Sequence, residues 1–261
     1  MKVFCKMECK ICGNKTETFD RASLINKYDV SYYRCPHCGF IQTEDPYWLS
    51  EAYSEAIADS DIGLIGRNIH LSDIIDTVLK ILNPTSQILD YGGGYGMFVR
   101  MMRDKGWDFE WYDEYCQNLF AKGHEMSHEH YDVITSFEML EHLPNPLETI
   151  EKMFSLSDTL ICTTELLPYN PPRINDWWYY ATETGQHIAF YTKKSLHVIA
   201  EKFGKNLYAK HGIIIFSSKE IPYRKINLTF NHPQLAHFIL PLQDRPSLLA
   251  NDYRHLTGRD I

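Results

Sequence analysis

Three groups of residues in this sequence have types and spacings that could do chemistry. Cys9-Lys10-Ile11-Cys12 and Cys35-Pro36-His37-Cys38 are two C-x2-C knuckles separated by twenty-two residues. Each knuckle brings two thiolates to one ion, and two knuckles complete a closed, tetrahedral four-cysteine zinc site. Such a site has no open coordination position, so its expected role is structural. Cys5 and His37 lie close enough in sequence to be spare ligands, while Cys116 and Cys162 read as isolated thiols. Four unliganded buried cysteines would leave the duplicated spacing unexplained.

The second group is Asp90-Tyr91-Gly92-Gly93-Gly94-Tyr95-Gly96, placed where a strand should hand over to a helix. Glycines there let the backbone approach a ligand closely and permit positive φ in the turn. The dinucleotide-binding spacing G-x-G-x-x-G fails in both registers, because Gly92 and Gly94 lead to Met97, and Gly94 and Gly96 to Val99. No G-K-[ST] follows, which excludes a phosphate-cradling P-loop. Asp113 lies at the end of the next apolar run, where a carboxylate suits a ligand that offers hydroxyl donors and no phosphate.

The third group surrounds two histidines. His142 sits in Phe137-Glu138-Met139-Leu140-Glu141-His142-Leu143, and His187 in the aromatic and polar segment from Trp177 to Tyr191. A histidine suits proton transfer near neutral pH. The chain has twelve histidines, so either one reads equally as a solvated or core residue. Glu141 could orient His142 or cap the turn, and the Trp177-Trp178 pair reads equally as packing.

The elements that must position these groups follow from apolar periodicity. Leu71, Ile74, Ile75, Val78, Leu79 and Leu82 form one helical face, stopped by Asn83-Pro84. From residue 85 short apolar strands alternate with amphipathic helices, which predicts a parallel sheet of βαβ units. Strands are expected at Gln87–Tyr91, Phe109–Tyr112, Val133–Thr135 and Leu160–Thr163. Helices are expected after Gly96 (ending near Gly106), from Pro146, and from Thr192 to Gly204. Leu207–Ala209 and Ile213–Phe216 should form an antiparallel hairpin turning at His211-Gly212. The expected division is a zinc ribbon over 1–45, a helical connector over 46–84 that contributes to the active site, an α/β domain over 85–220, and a tail or cap over 221–261.

The glycine loop, the distal acid and the Tyr131–Leu143 segment ending in E-H-L, taken in order, resemble class I S-adenosylmethionine-dependent methyltransferases. The resemblance covers about residues 65 to 218. It implies an α/β, Rossmann-like, mostly parallel seven-stranded sheet with a terminal antiparallel hairpin, beside the small N-terminal zinc ribbon. It also implies that Asp90, Gly92, Gly94, Gly96, Asp113 and Ser136 hold S-adenosylmethionine, with Asp113 on the ribose hydroxyls. Two departures stand out. Tyr112 precedes Asp113 where the family often has a small residue, and the span between the second and fourth strands is short. That leaves the third strand unplaced and Phe120 a guess for the adenine contact.

Together with the cysteine knuckles and a G-x-H segment before a Tyr-Thr helix start, the chain resembles nucleotide-sugar methyltransferases of antibiotic and surface-polysaccharide pathways. That likeness implies His187 as base, His142 as a second active-site histidine and Tyr53 as a residue reaching the substrate from the connector. The sugar C-methylating members are longer at the C-terminus, which favours O-methylation here.

Composition narrows the alternatives. The 261 residues carry a formal net charge of -8, which disfavours polyanions as partners. An RNA-modifying enzyme that grips its substrate with the ribbon is the alternative, since Lys2, Lys6, Lys10, Lys15, Arg21, Lys27 and Arg34 outnumber Glu8, Glu17, Asp20 and Asp29 there. A non-catalytic scaffold is the third reading, against which the intact Asp90, glycine loop and Asp113 speak. No apolar run is long enough to span a membrane, and no leader-like apolar region follows Met1. A cytoplasmic location is expected, with the seven cysteines reduced or metal-bound.

Overall fold

A computed structural model describes residues 7–53, 62–240 and 245–260. Cys5, Lys2 and Lys6 therefore lie outside the described residues. In chain order the elements are β1 (Glu17–Leu24), β2 (Tyr28–Arg34), β3 (Ile41–Thr43), α1 (Leu49–Ala52), α2 (Leu64–Leu82), β4 (Ile88–Tyr91), α3 (Met97–Asp104), β5 (Phe109–Tyr112) and β6 (Val133–Ser136). There follow α4 (Pro146–Leu156), β7 (Thr159–Thr163), β8 (Ala189–Phe190), α5 (Lys193–Phe203), β9 (Asn206–Lys210), β10 (Ile213–Ser217), α6 (Tyr223–Asn231), α7 (Pro233–Ile239) and α8 (Leu249–Thr257).

Two sheets result. The larger has the order β5-β4-β6-β7-β10-β9, with β4 parallel to both β5 and β6. β9 and β10 are neighbours joined only by His211 and Gly212, both at positive φ (50° and 75°). A two-residue link permits only antiparallel pairing, and two positive φ values match the right-handed strand twist. Among the described residues this sheet has six strands, where the resemblance implied seven. The missing one is reduced to a single parallel bridge, Trp111 to Glu125, flanked by hydrogen bonds from Trp111 N to His124 O and from Met126 N to Trp111 O. The short span between β5 and β6 leaves room for no more.

The smaller sheet, in the order β1-β2-β3-β8, is antiparallel along its length. Its first three strands come from the cysteine-rich segment. Its fourth comes from far along the chain, two residues after His187.

The chain divides into two compact units: Met1–Ala58, Glu138–Lys152 and Cys162–Phe216 form one, and Asp59–Phe137, Met153–Ile161 and Ser217–Ile261 the other. The first is built on an aromatic core in which Val30, Tyr32, Ile41, Trp48, Tyr180 and Phe190 are buried together. Trp48 donates its indole N–H to the Gly185 carbonyl at 2.8 Å, which satisfies the one polar atom this large side chain buries. Three cations of the cysteine-rich segment are paired: Lys15 with Glu8, Arg21 with Asp29, and Lys27 with Glu51.

In the second unit α2 buries Leu71, Ile74, Ile75, Val78 and Leu79 as the periodicity requires, and contacts α3, α6 and α7. It ends where Asn83 turns left-handed (φ 51°) before Pro84. The C-terminal α8 is tied to α3 by Asp252, which is 3% exposed and accepts from Nε and Nη2 of Arg103 at 2.8 and 2.7 Å. Among the described residues no helix is long and apolar enough to cross a membrane.

Candidate active site

The glycine loop lies between β4 and α3, as expected, and is braced from below and from the side. Gly93 packs directly on Asp90: a Cβ there would lie 2.9 Å from the Asp90 Oδ2 and 2.9 Å from a Trp111 ring carbon. Gly93 is therefore as constrained as the alternate glycines that the motif singles out. Gly96 combines φ 84° with a close approach to Ala121 and Asn118, so only glycine fits the helix start. The Trp111 indole N–H donates to the Gly94 carbonyl at 2.8 Å.

Asp90 is buried, and its Oδ1 accepts from the Thr135 hydroxyl at 2.6 Å. Burial, with the charge of Asp113 adding to it, pushes its carboxyl up to about 7. Asp113 follows β5 and faces the loop: Oδ2 accepts from Gly94 N at 2.9 Å, and Oδ1 accepts from Tyr115 N and Cys116 N at 2.8 and 2.7 Å. A carboxylate offers about four acceptor sites, so about one remains for a ligand hydroxyl. Ser136 is fully buried at the end of β6. Phe120 is half exposed, and its backbone N–H donates to the Tyr95 carbonyl.

The four cysteines meet. Cys9 Sγ lies 3.6 Å from Cys38 Sγ and Cys12 Sγ 3.4 Å from Cys35 Sγ, and all four sulfurs lie within 4.8 Å of one another. A tetrahedron with metal–sulfur bonds of about 2.3 Å has edges of about 3.8 Å, which these separations match. The knuckles repeat each other in detail. Gly13 N donates to Cys9 O and Gly39 N to Cys35 O, while Cys9 N donates to Asn14 O and Cys35 N to Phe40 O. His37 is exposed and does not join the group.

The histidines also meet, in the same unit as the cysteines. Their rings are 4.8 Å apart and nearly perpendicular. His187 Nδ1 lies 2.7 Å from the Tyr179 carbonyl oxygen. A carbonyl can only accept, so Nδ1 carries a proton. His142 Nδ1 lies 2.8 Å from the Tyr53 hydroxyl. Burial, reinforced by the neighbouring His187, holds His142 down to about 3, so it is neutral at physiological pH.

Glu141 is fully buried, and its Oε1 accepts from the Tyr179 hydroxyl at 2.7 Å while Oε2 has no partner. The carboxyl is bonded to Tyr179 and not to His142. Burial first, and the Glu138 charge second, push it up to about 8, making it a neutral acid at pH 7. Glu138 itself takes φ 50°, unusual for a side chain with a Cβ, and is held there by Thr163, whose hydroxyl donates to Oε1 at 2.7 Å. Trp177 packs against the aromatic core, whereas Trp178 is 76% exposed.

Sequence reasoning missed Tyr179 and Gln186. Tyr179 contacts both groups, its carbonyl fixing His187 and its hydroxyl bonding Glu141. Gln186 is buried and donates from Nε2 to the Ala52 carbonyl at 2.8 Å, holding the backbone next to Tyr53. Both lie inside the aromatic segment named from sequence, but nothing in residue type separates a carbonyl that fixes a tautomer from one that does not.

A methyltransferase-domain family matches residues 66–210. No curated protein matches the chain. Among solved structures the chain is similar to TnmH, at 12% identity over 67% of this chain and 62% of that one, with a TM-score of 0.47. It is similar to CalO1, a methyltransferase in calicheamicin biosynthesis in its SAH-bound form, at 12% identity over 67% and 60%, TM-score 0.40. An O-methyltransferase family protein from Burkholderia thailandensis is also similar, at 14% identity over 66% and 68%, TM-score 0.41. The chain spans less than two thirds of the length of the first two. With more than half of its 261 residues under the one family match, the chain belongs to the methyltransferase-domain family.

Proposed function

We propose that this protein is an S-adenosylmethionine-dependent methyltransferase that O-methylates a hydroxyl of a sugar, carried on a nucleotide, in surface-polysaccharide or natural-product biosynthesis. The observation that carries the reading is the setting of His187, a histidine whose Nδ1 lies 2.7 Å from the Tyr179 carbonyl and whose ring stands 4.8 Å from that of His142. Sequence resemblance supports the sugar as acceptor.

The residues fit the cofactor. The loop from Gly92 to Gly96 presents backbone that no larger residue could occupy at Gly93 or Gly96, and Asp113 keeps about one acceptor site for a ribose hydroxyl. When bound, S-adenosylmethionine supplies an electrophilic methyl group. His187 Nε2 takes the proton of the acceptor hydroxyl, and the Tyr179 carbonyl then stabilises the imidazolium through Nδ1–H. His142 stays neutral and positions Tyr53, which in this reading reaches the acceptor from the connector. Cys9, Cys12, Cys35 and Cys38 hold a structural zinc ion, for which four converging thiols are the fitting donor set. The protein acts in the cytoplasm.

Incubation with methyl-labelled S-adenosylmethionine and a panel of nucleotide sugars tests the reading. The expected product is a sugar methyl ether, recognised by its O–CH3 carbon resonance. Label found on carbon would overturn O-methylation, and label found only in added RNA would overturn the sugar acceptor.

A further inference from the structure

The segment that carries His187 toward α5 is held on two sides. On one, Ile188 N donates to the Glu141 carbonyl and Leu167 N to the Tyr191 carbonyl, both at 2.8 Å. On the other lies the strand beside the cysteine knuckles. β8 is two residues long, and its sheet partner is β3, with Ile41 opposite Phe190 and Gln42 opposite Ala189. Thr43 N also donates to the carbonyl of Ile188, the residue after His187, at 3.1 Å. β3 begins three residues after Cys38. So short a pairing is marginal without outside support.

Two side chains add support, one reaching each knuckle. Gln42 is 1% exposed, and both ends of its amide are engaged: Oε1 accepts from Lys10 N at 2.8 Å, and Nε2 donates to the Glu8 carbonyl at 3.0 Å. It clamps the backbone around Cys9 to the strand that pairs with β8. Thr192 donates from Oγ1 to the Cys38 carbonyl at 2.6 Å while accepting from Ser195 N at 3.0 Å as the N-cap of α5. The approach is close enough that a Cβ on Gly39 would lie 3.0 Å from the Thr192 methyl. The Phe40 and Tyr191 rings pack at 5.0 Å beside it. Residues 188–192, directly after His187, are thus fastened to both knuckles.

We propose that the four-cysteine group is a positioning element for His187, acting through Gln42 and Thr192, and not a separately folded appendage. Metal in the cysteine group holds the two knuckles together, which holds β3 against β8 and fixes the segment that follows His187. The catalytic consequence rests on the reading of His187 as the base; the mechanical linkage does not.

Hydrogen exchange read by mass spectrometry on the full, zinc-loaded chain, with and without a zinc chelator, separates the two. On chelation, peptides covering 35–43 and 186–192 should lose protection together, while 88–97 keeps its protection. If 35–43 opens and 186–192 stays protected, the linkage is wrong. Gln42→Ala should retain one zinc per chain yet lower turnover about 10- to 100-fold, the scale of a small misplacement of a reacting group. Its KM for S-adenosylmethionine should stay within about twofold, the split expected of a group placed away from the cofactor. Full turnover with full zinc would overturn the proposal. Should Gln42→Ala fail to fold, Thr192→Val carries the same expectation, and Thr192→Ser, which keeps the hydroxyl, should restore turnover. Equal turnover in the two Thr192 variants would count against it. If exchange behaves as expected but His187→Ala stays active, the base assignment falls and the linkage stands.

Discussion

Glu141→Gln tests whether a neutral carboxylic acid lies beneath the histidines. In the wild type this carboxyl is fully buried, and burial together with the Glu138 charge raises it from 4.5 to about 8. The folded state therefore holds a proton that the unfolded state releases. The stability linked to that proton is fully present below pH 4.5 and is lost as pH rises through about 8. The slope is about 1.4 kcal/mol per pH unit, or about 3 kcal/mol between pH 5 and pH 7.5. Glutamine keeps an oxygen to accept from Tyr179 and does not titrate. Its stability relative to wild type should therefore rise by that amount over the same window, whatever fixed cost its unpaired NH2 brings. Taking the difference between the two proteins cancels the titration of Asp90 and of the cysteine group, which both share. Urea unfolding at several pH values between 5 and 8 gives the difference from the midpoints. Parallel stability curves for the two proteins would show that Glu141 is ionised throughout, and the reasoning from its burial would fail.

Four further outcomes are expected. His187→Ala should lower turnover by about 10²–10⁴-fold with S-adenosylmethionine affinity preserved, since a base acts on the chemical step; calorimetry beside single-turnover kinetics checks both halves. Asp113→Ala should weaken cofactor binding by about 1–3 kcal/mol, read by calorimetry, because it removes a charged acceptor and releases the amide of Gly94. Cys35→Ser should abolish stoichiometric zinc in elemental analysis, since three thiolates no longer close the tetrahedron. Asp252→Ala should destabilise the chain by about 3–5 kcal/mol in chemical unfolding, because it leaves the buried Arg103 guanidinium without its two-pronged partner.

What was legible in the sequence tracks how local the cause is. Thr192 and Gly204 bound α5 as read, through a capping box and a left-handed C-cap, because both signals act within four residues. Asn83-Pro84 likewise stopped α2 where expected. The cysteine spacing announced its own convergence, since two identical knuckles have one economical arrangement. β8 was not legible: Ala189 and Phe190 form a strand only because Ile41 and Gln42, almost 150 residues earlier, lie opposite. The seventh strand failed for the converse reason, a pattern implied by resemblance that the short span after Asp113 reduces to one bridge at Glu125. The constraint on Gly93 was not legible, because it comes from Asp90 and Trp111, which leave no room for a Cβ there.

The proposed mechanism gives the two histidines different roles. Sequence alone allows either to be the base, since both start from the same ordinary range near 6.5. His142 is pressed down to about 3 by its surroundings, so at neutral pH it offers a lone pair with almost no affinity for a proton, and its Nδ1 is already engaged with Tyr53. A base must hold the proton it takes until the bond to oxygen has formed, which His142 is poorly suited to do. His187 differs in the one respect that matters: its Nδ1–H points at the Tyr179 carbonyl, so that the cation formed on accepting a proton already has its partner. In the proposed mechanism, burial penalises charge at His142, while the Tyr179 carbonyl accepts the Nδ1–H of His187. The division predicts that a His142→Asn variant, which keeps a polar partner for Tyr53 without the imidazole, should retain more turnover than His187→Asn. The reverse order, measured at saturating acceptor, would exchange the two roles.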